Sequence, residues 1–369
     1  MARSFVYWLS GVVGLLLLLE AICRVLPVST STNTGYTTDP VILTYPARHQ
    51  WVMSTGWDLR NAQRLQANNL GYAAQHDFVR NPRAIALIGD SYVEASMLDL
   101  ADRPAAQLER RLSARPVYAM GAPGTALLDY AERVRYASEQ LGVQDFVLMM
   151  EGGDVRQSLC GSGNVNGPCL DPTTLAPKVE TLPPPNTAKR LLRQSALAQY
   201  LVSQLKVTPQ GLLTQLTLKP TPHTTQMAKP VANTTQADAD QAQALRVVDA
   251  VTGLFFERIK PHVKGKLVIM LDTDRKAIFD GPMSPDPARQ RFIDLAQAAG
   301  AVVVDAEPVF AAHAARSPLK LVVGPYDGHM NPLAIGLLTQ AAAAAFNAPS
   351  TKIHAKCASS PYAACASSY

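Results

Sequence analysis

A serine, a histidine and a carboxylate are the residues of this chain whose surroundings fit nucleophilic chemistry. In "ALIGDSYVEA" (86–95), Ser91 stands two residues past Gly89, which closes an apolar run. In "GPYDGHMNPLAIGLL" (324–338), His329 follows Asp327 by two residues in a Gly/Pro-rich loop ahead of an apolar helical pattern. A serine hydroxyl attacks a carbonyl well only when an imidazole takes its proton and a carboxylate orients that imidazole. The chain has seven histidines. His49 and His76 lie in a polar lead-in, His223 in a Thr/Gln/Pro stretch, His354 in the tail, His262 before a strand and His313 on a helix. Only His329 has a carboxylate two residues away in a loop. On these residues alone a plainer reading stays open, in which Asp327 caps the next helix and His329 is a surface residue.

Other polar positions have a bland reading that outweighs the chemical one. Asp272 and Asp274 in "MLDTDRK" could ligate a metal, but paired carboxylates at a strand end are more often turn and cap residues. Trp51 and Trp57 could stack on sugar rings, although packing is the commoner use of tryptophan. Asp154 and Arg156 fit a hydrogen-bond network near a cleft. No metal or cofactor is expected.

The elements that must position Ser91 and His329 follow a repeating pattern. "AIALIG" (84–89) reads as a buried parallel strand, "RPAAQLERRLSA" as an amphipathic helix, "PVYAMG" as a strand, "LLDYAERVRYASEQL" as a helix and "DFVLMMEGG" as a strand. The alternation breaks at Cys160. Residues 171–186 are Pro-rich, 187–206 read as one helix, and 207–238 form a Thr/Gln/Pro stretch on which no structure is forced. It resumes with a helix over about 239–260, the strand "KLVIMLD" (266–272), a helix near 287–299, the strand "AVVVDA" (301–306) and a helix over 333–346. This is one α/β domain over 81–346 with a doubly wound parallel sheet and an insertion at about 171–238. A polar, irregular lead-in (28–80) precedes it and an Ala/Ser-rich tail (347–369) follows.

At 369 residues and 47% hydrophobic the chain can bury a sizeable core. Its net charge of +5 is dispersed, without a basic block or aromatic interleaving, which argues against a nucleic-acid partner. Residues 1–27 hold an almost wholly apolar run with Tyr7 and Trp8 near its start, long enough to cross a bilayer. An uncleaved anchor is expected, since Glu20, Cys23 and Arg24 interrupt where a cleavage site would lie; a cleaved signal peptide is the competing reading. Of five cysteines, Cys160 and Cys169 flank one short loop and Cys357 and Cys365 another. Two local disulfides are expected, hence a body in an oxidising compartment, with four free cytosolic thiols as the alternative.

"IALIGDSYVEA" and "DGHMNPLAIGLL" resemble the first and last motif blocks of the SGNH/GDSL hydrolases. "VYAMGAPGTALLDY" resembles the second block, whose glycine, here Gly124, gives a backbone N–H to an oxyanion. "NNLGYA" is similar to an element upstream of the nucleophile in membrane-anchored bacterial members. The resemblance runs from about 69 to 346, with 160–260 unmatched. It implies a three-layer, flavodoxin-like parallel sheet with Ser91 as nucleophile, His329 as base and Asp327 as its orienting acid, and with the backbone of Ser91 and Gly124 as oxyanion donors. The third block departs: Gly-x-Asn-Asp is here "EGGD", with Glu151 and Gly153 at the Gly and Asn positions and Asp154 retained. The missing asparagine is the family's third oxyanion donor; Gly153 leaves room for a backbone N–H, a water or a side chain such as Asn331 in its place. Asp90, Asp154 and Asn331 are the substrate-side candidates.

The resemblance also implies an esterase or acyltransferase acting on O-acyl, above all O-acetyl, groups of an extracytoplasmic polysaccharide or peptidoglycan. The protein would be held by one pass through the inner (cytoplasmic) membrane, with its body in the periplasm or outside the cell and envelope polysaccharide machinery as a partner. The alternative is a degenerate member that binds glycan or scaffolds such a complex.

Overall fold

The computed structural model describes residues 2–30, 34–163, 167–205, 207, 234–281 and 283–348. Helix α1, Ala2–Val25, opens the chain, and its Arg3–Val25 portion is long and apolar enough to cross a membrane. The α/β body follows: β1 Ile85–Gly89, α2 Ser91–Glu94, α3 Pro104–Arg111, β2 Val117–Gly121, α4 Leu127–Glu139, β3 Asp145–Met150, α5 Thr234–Ile259, β4 Leu267–Leu271, α6 Pro287–Ala298, β5 Val302–Asp305, α7 Ala306–Ala314 and α8 Pro332–Asn347. Every strand of the main sheet is parallel to its neighbours, in the order β2-β1-β3-β4-β5. That order reverses direction between β1 and β3, the crevice where open α/β sheets bind their ligands.

The strand sequences explain the three layers. β1, β2 and β4 are buried at every residue, as parallel strands covered on both faces must be. Successive side chains point to opposite faces. Ala86, Ile88, Met120, Leu148 and Ile269 meet α4, α5 and α6 through Leu127, Val134, Val251, Phe255 and Phe292. Ile85, Leu87, Val117, Val147 and Met270 meet α3, α7 and α8 through Leu108, Phe310, Ile335 and Leu338.

Several sequence expectations are corrected. The lead-in is not irregular: it folds into two antiparallel hairpins, Gly35–Asp39 with Ile42–Thr44 and Gln50–Thr55 with Arg60–Gln66. They enclose a small core of Tyr45, Trp51, Leu65, Ala67 and Ala73. Trp51 is 4% exposed and packs on Tyr45 at 4.4 Å, so its faces are closed to any sugar. The single helix expected over 187–206 is broken into Thr187–Leu192 and Ala196–Gln204, because Ser195 leaves the helical path and caps the second piece, accepting from the Ala198 N–H. The helix expected to carry His313 runs over Ala306–Ala314. Asp274 is a cap residue: its carboxylate accepts from the N–H groups of Lys276 and Ala277. Cys160 and Cys169 form a disulfide, whereas Cys357 and Cys365, most of 207–238 and most of the tail lie outside the described residues.

Candidate active site

Ser91 owes its place to a strand, a turn and a helix packed without spacing. Gly89 ends β1, Asp90 is the N-cap of α2, and its carboxylate accepts from the Tyr92 N–H at 2.8 Å. The turn lies hard against the sheet. A Cβ on Gly121 at the end of β2 would stand 2.6 Å from the Glu94 nitrogen and 2.9 Å from the Asp90 carbonyl oxygen, so only glycine admits this packing. Beneath the turn, buried Arg133 of α4 donates to the Gly89 carbonyl at 2.7 Å. The serine is thus presented at the carboxyl edge of the sheet, at the reversal of strand order.

His329 arrives from the other end of the chain. Its position is not the open loop that the sequence suggests. Val322–Gly324 and Asp327–Met330 form a small antiparallel hairpin, and Asp327 and His329 project from its return strand. Residues two apart on a strand share a face, which puts the carboxylate beside the ring. His329 Nδ1 lies 2.6 Å from Asp327 Oδ1, and that same oxygen accepts the His329 backbone N–H at 2.9 Å. The other ring nitrogen, Nε2, lies 2.9 Å from Ser91 Oγ. The Asp327 side chain is 8% exposed and that of His329 30%, an orienter under cover and a ring reachable from solvent. Elsewhere among the described residues, His76 pairs with Glu109 and His313 with the Leu319 carbonyl.

A residue absent from the sequence reading holds the two halves together. Arg275, 8% exposed, pairs with Asp272 past the end of β4. It also donates to the Tyr92 hydroxyl at 3.0 Å and to the carbonyl oxygen of Gly328. Tyr92 follows the serine and Gly328 lies between Asp327 and His329, and the rings of Tyr92 and His329 sit 4.8 Å apart. One guanidinium therefore fixes the nucleophile turn relative to the hairpin. The signal was present in "MLDTDRK", but only the fold says where that arginine reaches.

The serine opens into a pocket of about 360 Å³ lined by Asp90, Ser91, Tyr92, Gly124, Glu151, Gln157, Gly328 and His329. Gly124 adopts φ +73°, a turn conformation that favours glycine. Gly153 does not line this pocket and leaves no room in front of itself. A Cβ there would meet Glu151 Oε1 at 2.3 Å and Gln157 Nε2 at 2.6 Å, because those two side chains, bonded to each other at 2.5 Å, already fill the space. Asn331 does not supply the missing amide either. It caps α8, accepting from the Ala334 N–H at 3.0 Å and donating to the Lys320 carbonyl at 2.8 Å. Asp154 is fully buried and is not on the substrate side: its carboxyl accepts from Tyr130 Oη and the Glu151 N–H, both at 3.1 Å. Of the three substrate-side candidates only Asp90 reaches the pocket. Besides Arg275, the sequence gives no pointer to Tyr92 or Gln157, and it marks Glu151 only as the third block's glycine position.

The carboxyls here crowd one another. Burial pushes Asp90 up to about 6, with the Glu151 charge adding to the effect. Burial, then the Asp90 and Glu151 charges, push Asp154 well above its ordinary value.

A larger cleft of about 1260 Å³ adjoins this pocket and shares Tyr92, Glu151 and Gly328 with it. It lies over the carboxyl ends of β3, β4 and β5, with Asp272, Thr273, Arg275 and Arg289 among its lining. Asp272 Oδ1, Thr273 Oγ1, Arg275 Nε and two nitrogens of Arg289 are buried without a hydrogen-bond partner among the described residues. At the far side of the hairpin Trp57 and Tyr326 are 64% and 50% exposed, and the indole N–H donates to the tyrosine oxygen at 3.1 Å.

No family model matches the sequence, and no curated protein does. Among solved structures the chain is similar to LAE5, an alpha/beta hydrolase enzyme from the metagenome of Lake Arreo, Spain, at 13% identity over 73% of this chain and 96% of that one, TM-score 0.36. It is also similar to a member of the lipolytic protein G-D-S-L family from Veillonella parvula DSM 2008 (11% identity, 71% and 97% covered, TM-score 0.34). A third is the inhibitor-bound aryl esterase of M. Smegmatis (12% identity, 71% and 97% covered, TM-score 0.30). Likeness at this level carries no functional argument, and the reading of the site rests on its own geometry.

Proposed function

We propose that this chain is a serine esterase or acyltransferase of the SGNH/GDSL type, acting on small O-acyl groups of a polar, glycan-like substrate outside the cytoplasm. The observation that carries the reading is the unbroken relay Ser91 Oγ–His329 Nε2 at 2.9 Å and His329 Nδ1–Asp327 Oδ1 at 2.6 Å. In that relay Ser91 Oγ attacks the ester carbonyl carbon as its proton passes to His329 Nε2. Asp327 holds the ring so that Nε2 faces the serine, and it offsets the charge that the imidazolium gains. The backbone N–H groups of Ser91 and Gly124 are the donors for the developing oxyanion. His329 then returns the proton to the leaving alkoxide. A water or a second hydroxyl, activated by the same imidazole, releases the acyl group from Ser91.

The surroundings of the serine support this substrate class. A pocket with a mostly polar wall offers little apolar surface to a long acyl chain and suits a short one better. The polar side chains of Asp272, Thr273, Arg275 and Arg289 along the adjoining cleft favour a ligand rich in hydroxyls. Exposed Trp57 and Tyr326 offer flat apolar faces of the kind that sugar rings pack against. The local Cys160–Cys169 disulfide and the anchor-like first helix fit a body outside the cytoplasm.

One observation favours a second reading, a glycan-binding protein without turnover. The Glu151 carboxylate lines the serine pocket, where negative charge opposes an oxyanion. The two readings separate on p-nitrophenyl acetate and longer p-nitrophenyl esters, with and without oligosaccharide, using the full chain and Ser91→Ala. Release that falls with acyl length, and that Ser91→Ala lowers by at least about 10³-fold, is the expected result. Acetylated oligosaccharide among the products would mark a transferase. Equal rates for the two proteins on every ester would leave only the binding reading.

A further inference from the structure

The two pieces of helix over 187–204 carry a surface that the catalytic reading does not use. Leu191, Leu192 and Val202 are 63%, 55% and 56% exposed, and Leu201 is 39% exposed. Single exposed aliphatic residues are ordinary; four on one short segment are not. Lys189, Arg190 and Arg193 lie among them, and residues 181–205 contain no Asp or Glu. Exposed aliphatic residues on a segment whose own charged side chains are all cations are the composition of a helix that lies in the boundary of an anionic bilayer.

The same segment is clasped to α1. The Glu20 carboxylate accepts from Ser195 Oγ at 2.8 Å and from the N–H groups of Ala196 and Leu197 at 3.1 and 3.0 Å. Arg24 pairs with Glu20 at 2.7 Å and donates to the Gln194 carbonyl at 3.2 Å. Glu20 comes five residues before the helix ends at Val25, about 7 Å along the axis. Residues 194–197 therefore lie beside the helix and not beyond its end. The uncharged stretch Ser4–Leu19 spans only about 24 Å as a helix, short of the ~30 Å of a hydrocarbon core. A membrane spanned by α1 consequently reaches to the level of Glu20 and of whatever is bonded to it.

We propose that 187–204 is a second membrane contact, seated on the bilayer that α1 enters, with Leu191, Leu192, Leu201 and Val202 at the acyl boundary and Lys189, Arg190 and Arg193 among anionic headgroups. This rests on α1 being a membrane anchor, as the proposed function supposes, and is independent of the catalytic reading. The test uses the full chain in vesicles of phosphatidylcholine with phosphatidylglycerol. An environment-sensitive fluorescent residue replaces Leu191, Val202, Leu15 of the anchor, or Val302 on the far edge strand. A lipid bearing a shallow nitroxide is expected to quench the probes at 191 and 202 by about twofold or more and to leave 302 unchanged. Removing phosphatidylglycerol, or the pair Lys189→Gln and Arg190→Gln, should reduce that quenching. Quenching at 15 with none at 191 and 202 overturns the proposal while sparing the anchor. No quenching at 15 overturns the anchor and the proposal together. Blue-shifted emission at 191 that ignores the nitroxide but grows with protein density shows another protein chain on the patch and also overturns it.

Discussion

At the scale of residues, the site is a set of short bonds between distant parts of the chain, and its weak points are charges. Arg275 touches neither the serine oxygen nor the imidazole, yet it bonds to the neighbours of both. Arg275→Lys keeps the charge and loses the fork that grips two partners at once. We expect kcat on p-nitrophenyl acetate to fall by about 10–100-fold with little change in KM, as when a ring is held off its line of proton transfer. A thermal melt run alongside separates this from unfolding, because a buried Asp272 left poorly paired costs stability of its own. Glu151 works in the opposite sense. Glu151→Gln keeps the bond to Gln157 and removes a charge from the pocket, so kcat should rise by about 3–10-fold. A fall would show that the carboxylate assists the reaction. Ser91, Asp327 and His329 were legible in the sequence because motif order and a two-residue spacing survive without coordinates. Gln157, Arg275 and the true place of Asn331 were not, since each depends on where a turn aims a side chain.

At the scale of elements, the β-α-β alternation was legible because parallel strands buried on both faces read as unbroken apolar runs. The lead-in hairpins were not: Arg60–Gln66 is exposed at most positions and "RNAQRLQ" carries no period of two. Those hairpins matter to the nucleophile helix through one bond. Tyr45 Oη donates to Glu94 Oε2 at 2.8 Å, at the end of α2. Glu94 is 3% exposed, and burial pushes its carboxyl up to about 7 against 4.5 for a free glutamate. A raised acid binds its proton in the folded state before it does in the unfolded one, so its share of stability is present below about pH 4.5 and lost as pH rises through about 7. Asp90 and Asp129, both near 6, act in the same direction. Unfolding in urea should therefore show stability falling between pH 5 and 8, with Glu94 contributing on the order of 3 kcal/mol. Glu94→Gln should flatten that slope and be less destabilising at pH 8 than at pH 5. An unchanged slope would assign the pH dependence to other groups.

At the scale of the molecule, the sheet brings together residues 238 positions apart, Ser91 and His329. A polar cleft adjoins their pocket, and the exposed pair Trp57 and Tyr326 forms an aromatic shelf next to Asp327 in the chain. If the shelf binds sugar, Trp57→Ala should raise KM for an acetylated oligosaccharide by about 10-fold and leave p-nitrophenyl acetate untouched. Equal effects on both esters would make Trp57 a structural prop.

The clasp at Glu20 continues inward. Tyr200, on the helix piece that begins at the clasp, donates to the Trp57 carbonyl at 2.9 Å, and Trp57 bonds Tyr326, the neighbour of Asp327. A head on a loose string ranges over a radius that grows as the square root of the string's length. Here hydrogen bonds run from α1 to the neighbour of Asp327, so if α1 is the proposed anchor Ser91 is confined to a thin shell at one altitude above the bilayer. Substrate at that altitude meets a high effective concentration of enzyme, and substrate above it meets almost none. Reach would then choose among esters before the pocket does: a polymer threading out close to the bilayer passes the serine repeatedly, and the same polymer once released is out of range.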